Sequence, residues 1–316
     1  MSRIKTLITM INSTPAINEL LAELTPDADI RFLKAGEQVA DYLDDLEVLY
    51  GTLTEADFSK AGKLKWVQTN STGVEHVMYP AFRNSDIILT NTGSSITAIV
   101  AEHAVAMLFA LARNLHLQRD LMKAHKWEII RGREIGGITL GILGVGKIGS
   151  RVAALAKPAV KKVHVLDVKE ITKNENIDKV YGFDQLTEFL GDCDAVICSL
   201  PSTPQTNNMI SDKEFSAMRK DSYLINISRG EIVDENALLK ALRGGRLAGA
   251  GIDVLEQEPC PEDSPLWDEP RLLLTPHSAG FCENLEERKI RQFVANFRHY
   301  IRNRKIPGSL DKTRGW

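Results

Sequence analysis

The stretch ITLGILGVGKIGSRVAALA, residues 138–156, contains the local pattern that decides the fold of this chain. Its first part, ITLGIL, is the apolar and β-branched run typical of a buried strand. The glycines of GVGKIG follow directly, and SRVAALA then has the composition of a helix. A strand, a glycine-rich turn and a helix in this order predict the opening unit of a parallel α/β sheet.

Each glycine of this turn has a distinct predicted role. Gly144 and Gly146 would permit a tight turn and let the backbone approach a pyrophosphate, whereas Gly149 would let the helix pack closely on the strand. The main-chain N–H groups at the start of the helix, among them those of Lys147 and Ile148, would then face the phosphates together with the positive end of the helix dipole. The sequence therefore predicts a dinucleotide site at this turn.

An acidic residue follows at the spacing expected for a contact with the adenosine ribose. Asp167 lies eighteen residues after Gly149, at the end of the apolar run VHVL, where its carboxylate can accept hydrogen bonds from the ribose hydroxyls. Its negative charge would repel the 2′-phosphate of NADP, which favours NAD as the cofactor. The alternative is that Lys169 turns inward and binds that phosphate, which would favour NADP.

The composition indicates a globular protein whose partners are small molecules. The chain has 316 residues, more than a single core usually supports, which favours two domains. Its 39 Lys and Arg nearly balance its 42 Asp and Glu, so a dedicated nucleic-acid or membrane surface is not indicated. The amino terminus has too short an apolar run for a signal peptide, and Glu102 and His103 interrupt the longest apolar stretch, so we expect a soluble cytoplasmic protein.

The four cysteines form no CxxC pair and have no histidine at zinc-binding spacing. We therefore expect reduced thiols, with neither a disulfide framework nor a metal site.

Short apolar runs alternate with helix-length amphipathic segments, which predicts an α/β protein with parallel sheets and crossover helices. The runs in the first third, which would build one sheet, are 5–10, 30–33, 46–50, 66–69 and 87–90. A long apolar helix from about 100 to 115 and a polar arm containing Trp127 follow. The second series of predicted strands is 138–143, 163–166, 195–200, 223–227, 250–254 and 272–275. The last segment, 285–301, predicts one amphipathic helix.

Two helices between these strands have terminal signals. Ser211 and Glu214 form the pattern of a capping box, and a second helix would begin at Asp234 and end at Gly244-Gly245. A further glycine cluster, 249–251, leads into the apolar run IDVL and has no helix after it, which a phosphate site needs. We interpret this cluster as part of a crowded strand.

Ionisable residues follow three strands of the second series. Ligands bind over the carboxyl ends of parallel strands, so Arg229, Glu258 and His277 would meet at one edge of the sheet. Arg229 can hold a carboxylate with its fork of donors. His277 can exchange the proton of an alcohol, and Glu258 would hydrogen-bond the other ring nitrogen and fix the tautomer. Each residue alone has an ordinary structural explanation, but the three together predict a dehydrogenase for a hydroxy acid.

The chain resembles the D-isomer-specific 2-hydroxyacid dehydrogenase family over nearly its whole length. The motifs that carry the resemblance are LGILGVGKIG followed by Asp167, SLPSTPQT, INISRGEIVDENAL, GAGIDVLEQEP and LLLTPHSAG. The resemblance implies two Rossmann-like domains, a doubly wound NAD-binding domain of residues 98–283 inserted into a flavodoxin-like substrate domain of residues 1–97 and 284–316. It also implies a homodimer formed through residues 100–136, with Trp127 buried there.

The resemblance further implies NAD-dependent interconversion of a 2-oxo acid and a D-2-hydroxy acid, with Arg229, Glu258 and His277 as the catalytic residues. Asp253 would lie near the nicotinamide carboxamide. The other residues implied in cofactor binding are Leu200, Pro201, Thr206, Ile227, His277 and Gly280. The main-chain N–H groups of Ser71, Thr72 and Gly73 would bind the substrate carboxylate, although an ordinary strand-to-helix turn would have a similar sequence.

The substrate is left open among glyoxylate, hydroxypyruvate and related short 2-oxo acids, and a phosphoglycerate dehydrogenase is a further possibility. The alternative from another class is a non-enzymatic, corepressor-like protein that senses NAD(H) with the same fold. No Pro-, Ser- or Gln-rich extension for binding partners occurs, which disfavours it. A formate dehydrogenase is disfavoured because that branch of the family has Gln where this chain has Glu258.

Overall fold

The computed structural model describes residues 3–313. The strands are β1 (Ile4–Ile8), β2 (Ala28–Phe32), β3 (Val48–Tyr50), β4 (Trp66–Gln68), β5 (Ile88–Thr90), β6 (Thr139–Leu143), β7 (Lys162–Leu166), β8 (Lys179–Tyr181), β9 (Ala195–Cys198), β10 (Ser222–Asn226), β11 (Leu247–Ile252) and β12 (Leu272–Leu274). The α-helices are α1 (Pro15–Ala22), α2 (Glu55–Phe58), α3 (Pro80–Arg83), α4 (Gly93–Ala112), α5 (Leu115–Lys123), α6 (Lys147–Ala156), α7 (Leu186–Asp192), α8 (Asp212–Ala217), α9 (Glu235–Arg243) and α10 (Leu285–Ile301).

These elements form two compact units with separate sheets. The discontinuous unit comprises residues 1–96 and 282–316, and the central unit comprises residues 97–281. The first has a five-stranded parallel sheet in the order β2-β1-β3-β4-β5, which is the flavodoxin-like order. The second has a seven-stranded parallel sheet in the order β12-β11-β10-β9-β6-β7-β8, which is the Rossmann order extended by one strand. The predicted α/β class with two Rossmann-like sheets is confirmed.

Aromatic packing places the carboxyl-terminal helix in the discontinuous unit. Phe293 of α10 stacks on Trp66 of β4 with ring centroids 5.3 Å apart and meets Tyr50 of β3 edge to face at 5.4 Å. The three rings are fully buried, and Asn296 of the same helix donates to Gln68 at 2.8 Å. The helix predicted over 285–301 thus covers one face of the first sheet with its apolar side.

Local signals fixed several element boundaries, and one strand was missed. Helix α8 begins after Ser211, whose N–H donates to Glu214, and α9 begins after Asp234, which accepts from the N–H of Ala237 at 3.0 Å.

Strand β8 was not predicted. It has only three residues and pairs with β7 at the edge of the sheet, so it lacks the apolar alternation that marks longer strands.

Helix α4 begins at Gly93 rather than near Val100 as predicted, and its carboxyl-terminal part packs on β11. A β-carbon at Gly251 would lie 3.1 Å from Met107 Sδ, and one at Gly249 would lie 3.1 Å from a methyl group of Leu111. The second glycine cluster is therefore part of a strand, as interpreted, and it lets a helix approach closely.

By length and apolar composition α4 could cross a membrane, a property that core helices of soluble proteins share.

Candidate active site

The glycine turn lies where β6 ends and α6 begins. Gly144 has φ +94°, in the left-handed region, and a β-carbon there would lie 2.8 Å from the Ser199 carbonyl oxygen. A β-carbon at Gly149 would overlap the Gly144 carbonyl oxygen. Both positions therefore require glycine, the first for the turn and the third for packing of α6 against β6.

The middle glycine differs, because the space beside it is open. A β-carbon at Gly146 would meet no atom of the described residues within 4 Å. Gly146 is also the N-cap of α6, and within residues 3–313 no side chain caps this helix end. Open space next to a bare helix amino terminus fits a pyrophosphate group, since main-chain N–H groups and the helix dipole both favour an anion there.

Asp167 follows β7 and contacts the same turn. Its Oδ2 accepts the N–H of Val145 at 2.6 Å, and its Oδ1 accepts the N–H of Lys169 at 2.9 Å. The carboxylate is half-buried beside the glycine turn. Because a carboxylate offers about four acceptor positions, these two bonds leave capacity for further donors.

The segment after β9 forms a compact loop beside the glycine turn. Ser199 donates to the Gly144 carbonyl at 2.7 Å, and Leu200 is buried. The buried Thr206 hydroxyl donates to the Pro201 carbonyl at 2.7 Å and accepts the N–H of Thr203 at 2.8 Å. Thr206 therefore shapes the loop from within, while Pro201 is exposed on it.

Arg229 is held at the end of β10 by a buried asparagine. Asn226 donates to the Arg229 carbonyl at 2.9 Å and accepts both the N–H and the hydroxyl of Ser228, at 3.1 and 2.6 Å. The Arg229 guanidinium donates to the Ser228 carbonyl at 2.7 Å. Sequence reasoning missed Asn226, although an asparagine within the apolar run YLINIS is a signal for a side chain that bonds its own main chain. Ile227, in the same segment, is buried.

Glu258 and His277 lie side by side. Glu258 Oε2 and His277 Nδ1 are 2.8 Å apart, and Glu258 Oε1 accepts the N–H of Leu255 at 3.0 Å. A carboxylate only accepts, so the hydrogen of the neutral imidazole is on Nδ1 and the lone pair is on Nε2. About half of the His277 side chain is exposed within the structure, so Nε2 is available for proton exchange.

The backbone of His277 is in the left-handed region, with φ +50°. Its N–H donates to the Asp253 carbonyl at 2.7 Å, and the N–H groups of Ser278 and Ala279 donate to the Asp253 carboxylate at 2.8 and 3.0 Å. Asp253 is 2% exposed and follows β11. It thus anchors the segment that carries the imidazole, whose backbone conformation is uncommon for a residue with a side chain. Gly280 follows this segment and is half-buried.

A cavity of about 550 Å³ lies beside the pair of Glu258 and His277. Apolar groups form much of its wall, and these are Leu255, Pro259, Cys260, Trp267, Leu274 and Pro276.

In the discontinuous unit, the predicted carboxylate-binding loop follows β4. Its carbonyl groups are engaged: Ser71 donates to the Gly73 carbonyl at 2.7 Å, and Asn91 donates to the Thr72 carbonyl at 2.7 Å. No hydrogen bond within the described chain takes up the main-chain N–H groups of these three residues. The loop therefore presents donors that suit an anion.

Comparisons with known proteins agree on one family. The model of the D-isomer specific 2-hydroxyacid dehydrogenase, NAD binding domain, matches residues 105–279, more than half of the chain. A glyoxylate reductase of Korarchaeum cryptofilum (strain OPF8) is 31% identical over 284 residues, covering 86% of this chain and 84% of the relative. A D-3-phosphoglycerate dehydrogenase of Methanocaldococcus jannaschii is 29% identical over 280 residues, which are 87% of this chain but 50% of that relative.

A solved structure establishes the same fold. An NADPH-dependent glyoxylate/hydroxypyruvate reductase from Sinorhizobium meliloti, in complex with NADP and sulfate, matches with a TM-score of 0.85 and 24% identity over 99% of this chain and all of that chain. None of these relatives supports the alternative of a non-enzymatic NAD sensor. The chain belongs to the D-isomer specific 2-hydroxyacid dehydrogenases, oxidoreductases that interconvert 2-oxo acids and D-2-hydroxy acids with a nicotinamide dinucleotide.

Proposed function

We propose that this chain reduces a short 2-oxo acid, such as glyoxylate or hydroxypyruvate, with Arg229, Glu258 and His277 as its catalytic residues. The observation that carries the proposal is the 2.8 Å hydrogen bond between Glu258 and His277. Similarity to a glyoxylate reductase over most of both chains supports the substrate class.

The residues have complementary roles in the reduction. Arg229 holds the substrate carboxylate with its fork of donors. The bound dinucleotide supplies the hydride. Doubly protonated His277 donates its Nε2 proton to the carbonyl oxygen as that oxygen becomes a hydroxyl, and Glu258 holds the ring through Nδ1. In the oxidation, Nε2 of the neutral ring accepts the proton of the substrate hydroxyl.

The cofactor would be held along the carboxyl edge of the second sheet. Gly144, Gly146 and Gly149 with the N–H groups of Lys147 and Ile148 would bind the pyrophosphate. The Asp253 carboxylate accepts two hydrogen bonds on Oδ1 and one on Oδ2, which leaves an acceptor position for the nicotinamide carboxamide. The remaining residues proposed for the cofactor site are Leu200, Pro201, Thr206, Ile227 and Gly280.

We propose NAD rather than NADP. The Asp167 carboxylate lies beside the glycine turn and has acceptor capacity for the ribose hydroxyls, whereas its charge would oppose a 2′-phosphate. Lys169 remains the competing residue, because it lies two residues after Asp167 and its side chain is exposed.

We further propose that residues 98–283 form the cofactor domain and that residues 1–97 with 284–316 form the substrate domain. The N–H groups of Ser71, Thr72 and Gly73, which lack acceptors in the described chain, support binding of a carboxylate by this loop.

A homodimer through residues 100–136 is proposed for the same chain. Large apolar side chains are exposed along this stretch, namely Phe109, Leu115, Met122, Trp127 and Ile129. Such a cluster is more typical of a covered interface than of a free surface.

The four cysteines are free thiols, which supports a reducing compartment such as the cytoplasm.

The test is NADH oxidation by the purified chain with a panel of glyoxylate, hydroxypyruvate, 3-phosphohydroxypyruvate and pyruvate. We expect one of the first two to have the highest kcat/KM and to give the D product where the product is chiral. His277→Gln should lower kcat by about 10²- to 10⁴-fold, the usual contribution of a general acid. His299→Gln, on α10, is the matched control and should retain activity. Reduction of none of these acids, or full activity of His277→Gln, would overturn the proposal.

A further inference from the structure

A series of hydrogen-bonded side chains lies behind the segment that carries His277. Asp253 is almost completely buried, and its carboxylate accepts the N–H groups of Ser278 and Ala279. The Thr275 hydroxyl lies 2.5 Å from the same carboxylate, on Oδ1. The Thr275 hydroxyl has a single hydrogen, so the direction of that hydrogen decides whether its other neighbour donates or accepts.

The next side chain is His103 of α4. Its Nε2 lies 3.1 Å from Thr275 Oγ1 and 3.7 Å from Asp253 Oδ1. The Asp253 carboxylate can only accept, so the Thr275 hydrogen points to Asp253 and Thr275 Oγ1 must accept from His103. His103 therefore carries a hydrogen on Nε2, and the hydrogen bonds run in one direction from His103 through Thr275 to Asp253.

The close contact between α4 and β11 brings His103 to this place. Gly249 and Gly251 have no side chains between the strand and the helix, where β-carbons would lie 3.1 Å from Leu111 and Met107. Met107 is one helical turn after His103 on the same face of α4. These glycines in β11 therefore allow the close approach of α4, since larger residues there would move α4 and His103 away from the carboxyl end of β11.

We propose that His103 is a positioning residue for His277, acting through Thr275 and Asp253. The proposal rests on the proposed role of His277 as general acid and base. His277 has a left-handed backbone, which a residue with a side chain adopts only when its surroundings enforce it. His103 orients the Thr275 hydroxyl and adds a donor beside the buried carboxylate. The carboxylate in turn holds the two main-chain N–H groups that follow His277.

The kinetic test compares three variants. His103→Leu removes the donor and should lower kcat about ten-fold, with less than about a three-fold change in the KM of the oxo acid, because a misplaced acid slows proton transfer more than it weakens binding. His103→Gln can place an amide N–H near the Nε2 position and should restore most of kcat. Thr275→Val breaks the same chain and should lower kcat as His103→Leu does.

A double variant tests whether the effect passes through Thr275. If it does, His103→Leu combined with Thr275→Val should be no slower than Thr275→Val alone. If the kcat losses of the two single variants multiply in the double variant, the proposal is overturned. Wild-type kcat in His103→Leu would overturn it too, as would a His103→Gln that folds normally but is as slow as His103→Leu. Glu102→Gln, the exposed neighbour on α4, is the control and should match the wild type.

A readout without turnover completes the test. In protein labelled with ¹⁵N-histidine at alkaline pH, the signal lost in His103→Gln should be that of a neutral ring with its hydrogen on Nε2. A hydrogen on Nδ1 alone would overturn the proposal. Melting temperatures of all variants identify any that fail to fold. If His277→Gln keeps full activity, the proposed function fails; if His277→Gln is inactive while His103→Leu is normal, only the positioning role fails.

Discussion

The main chain at Gly230 lies so close to the main chain at Leu255 that a β-carbon at position 230 would overlap the Leu255 carbonyl group. The loop that carries Arg229 therefore contacts the loop that carries Glu258. Because the neighbour is backbone, it cannot rotate away as a side chain would.

Gly230→Ala should separate these two loops. We expect a loss of about 1–3 kcal/mol in the free energy of unfolding, typical of overpacking, and a fall in kcat/KM of at least about ten-fold. Denaturant titration and steady-state kinetics measure the two effects. Gly137→Ala, where the added carbon meets no described atom within 4 Å, is the matched control and should change neither. A Gly230→Ala enzyme with normal kinetics would contradict the inferred contact.

Asp167→Ala should relax the preference for NAD. Removing the carboxylate removes both the acceptor for the ribose hydroxyls and the charge that opposes a 2′-phosphate. We expect kcat/KM with NADH to fall by about ten-fold, while that with NADPH stays level or rises. Lys169→Ala is the companion variant and should leave the preference unchanged. If the wild type already prefers NADPH, and Lys169→Ala abolishes that preference, the assignment to NAD is wrong.

Arg229→Ala should weaken binding of the oxo acid without weakening binding of NADH. A charge-assisted hydrogen bond contributes about 1.5–3 kcal/mol, so we expect kcat/KM for the acid to fall by at least about ten-fold. Arg229→Lys keeps the charge but loses the fork of donors, so its kcat/KM for the acid should lie between those of the wild type and Arg229→Ala. Fluorescence titration with NADH provides the second measurement. A large loss of NADH affinity in Arg229→Ala would place the guanidinium at the cofactor instead.

Trp127→Glu should shift the proposed homodimer toward monomers. Trp127 is fully exposed in the single chain, and a charge in a buried apolar interface costs several kcal/mol. Sedimentation velocity over a range of protein concentrations measures the change. Met10→Glu, which alters an exposed apolar residue outside residues 100–136, serves as the control. A wild-type chain that sediments as a monomer at all concentrations would contradict the dimer.

Much of the fold follows from local sequence, because strands, turns and caps depend on neighbouring residues. The glycine spacing at 144–149 predicts the turn, and the capping residues at 211 and 234 predict two helix starts. Strand β8 was missed because three residues at a sheet edge carry too little pattern. The start of α4 was predicted near residue 100, where the apolar run begins, whereas the helix already begins at Gly93.

The sequence by itself determined which residues follow the strands of the second sheet, and thus the candidates Arg229, Glu258 and His277, because parallel strands bring their carboxyl ends to one edge. Only the tertiary structure decided which side chains touch. The 2.8 Å contact between Glu258 and His277 joins residues from different loops, and the contact of His103 with Thr275 spans 172 positions of the chain. The second contact depends on the packing of α4 against β11, and no local periodicity records how closely a helix approaches a strand.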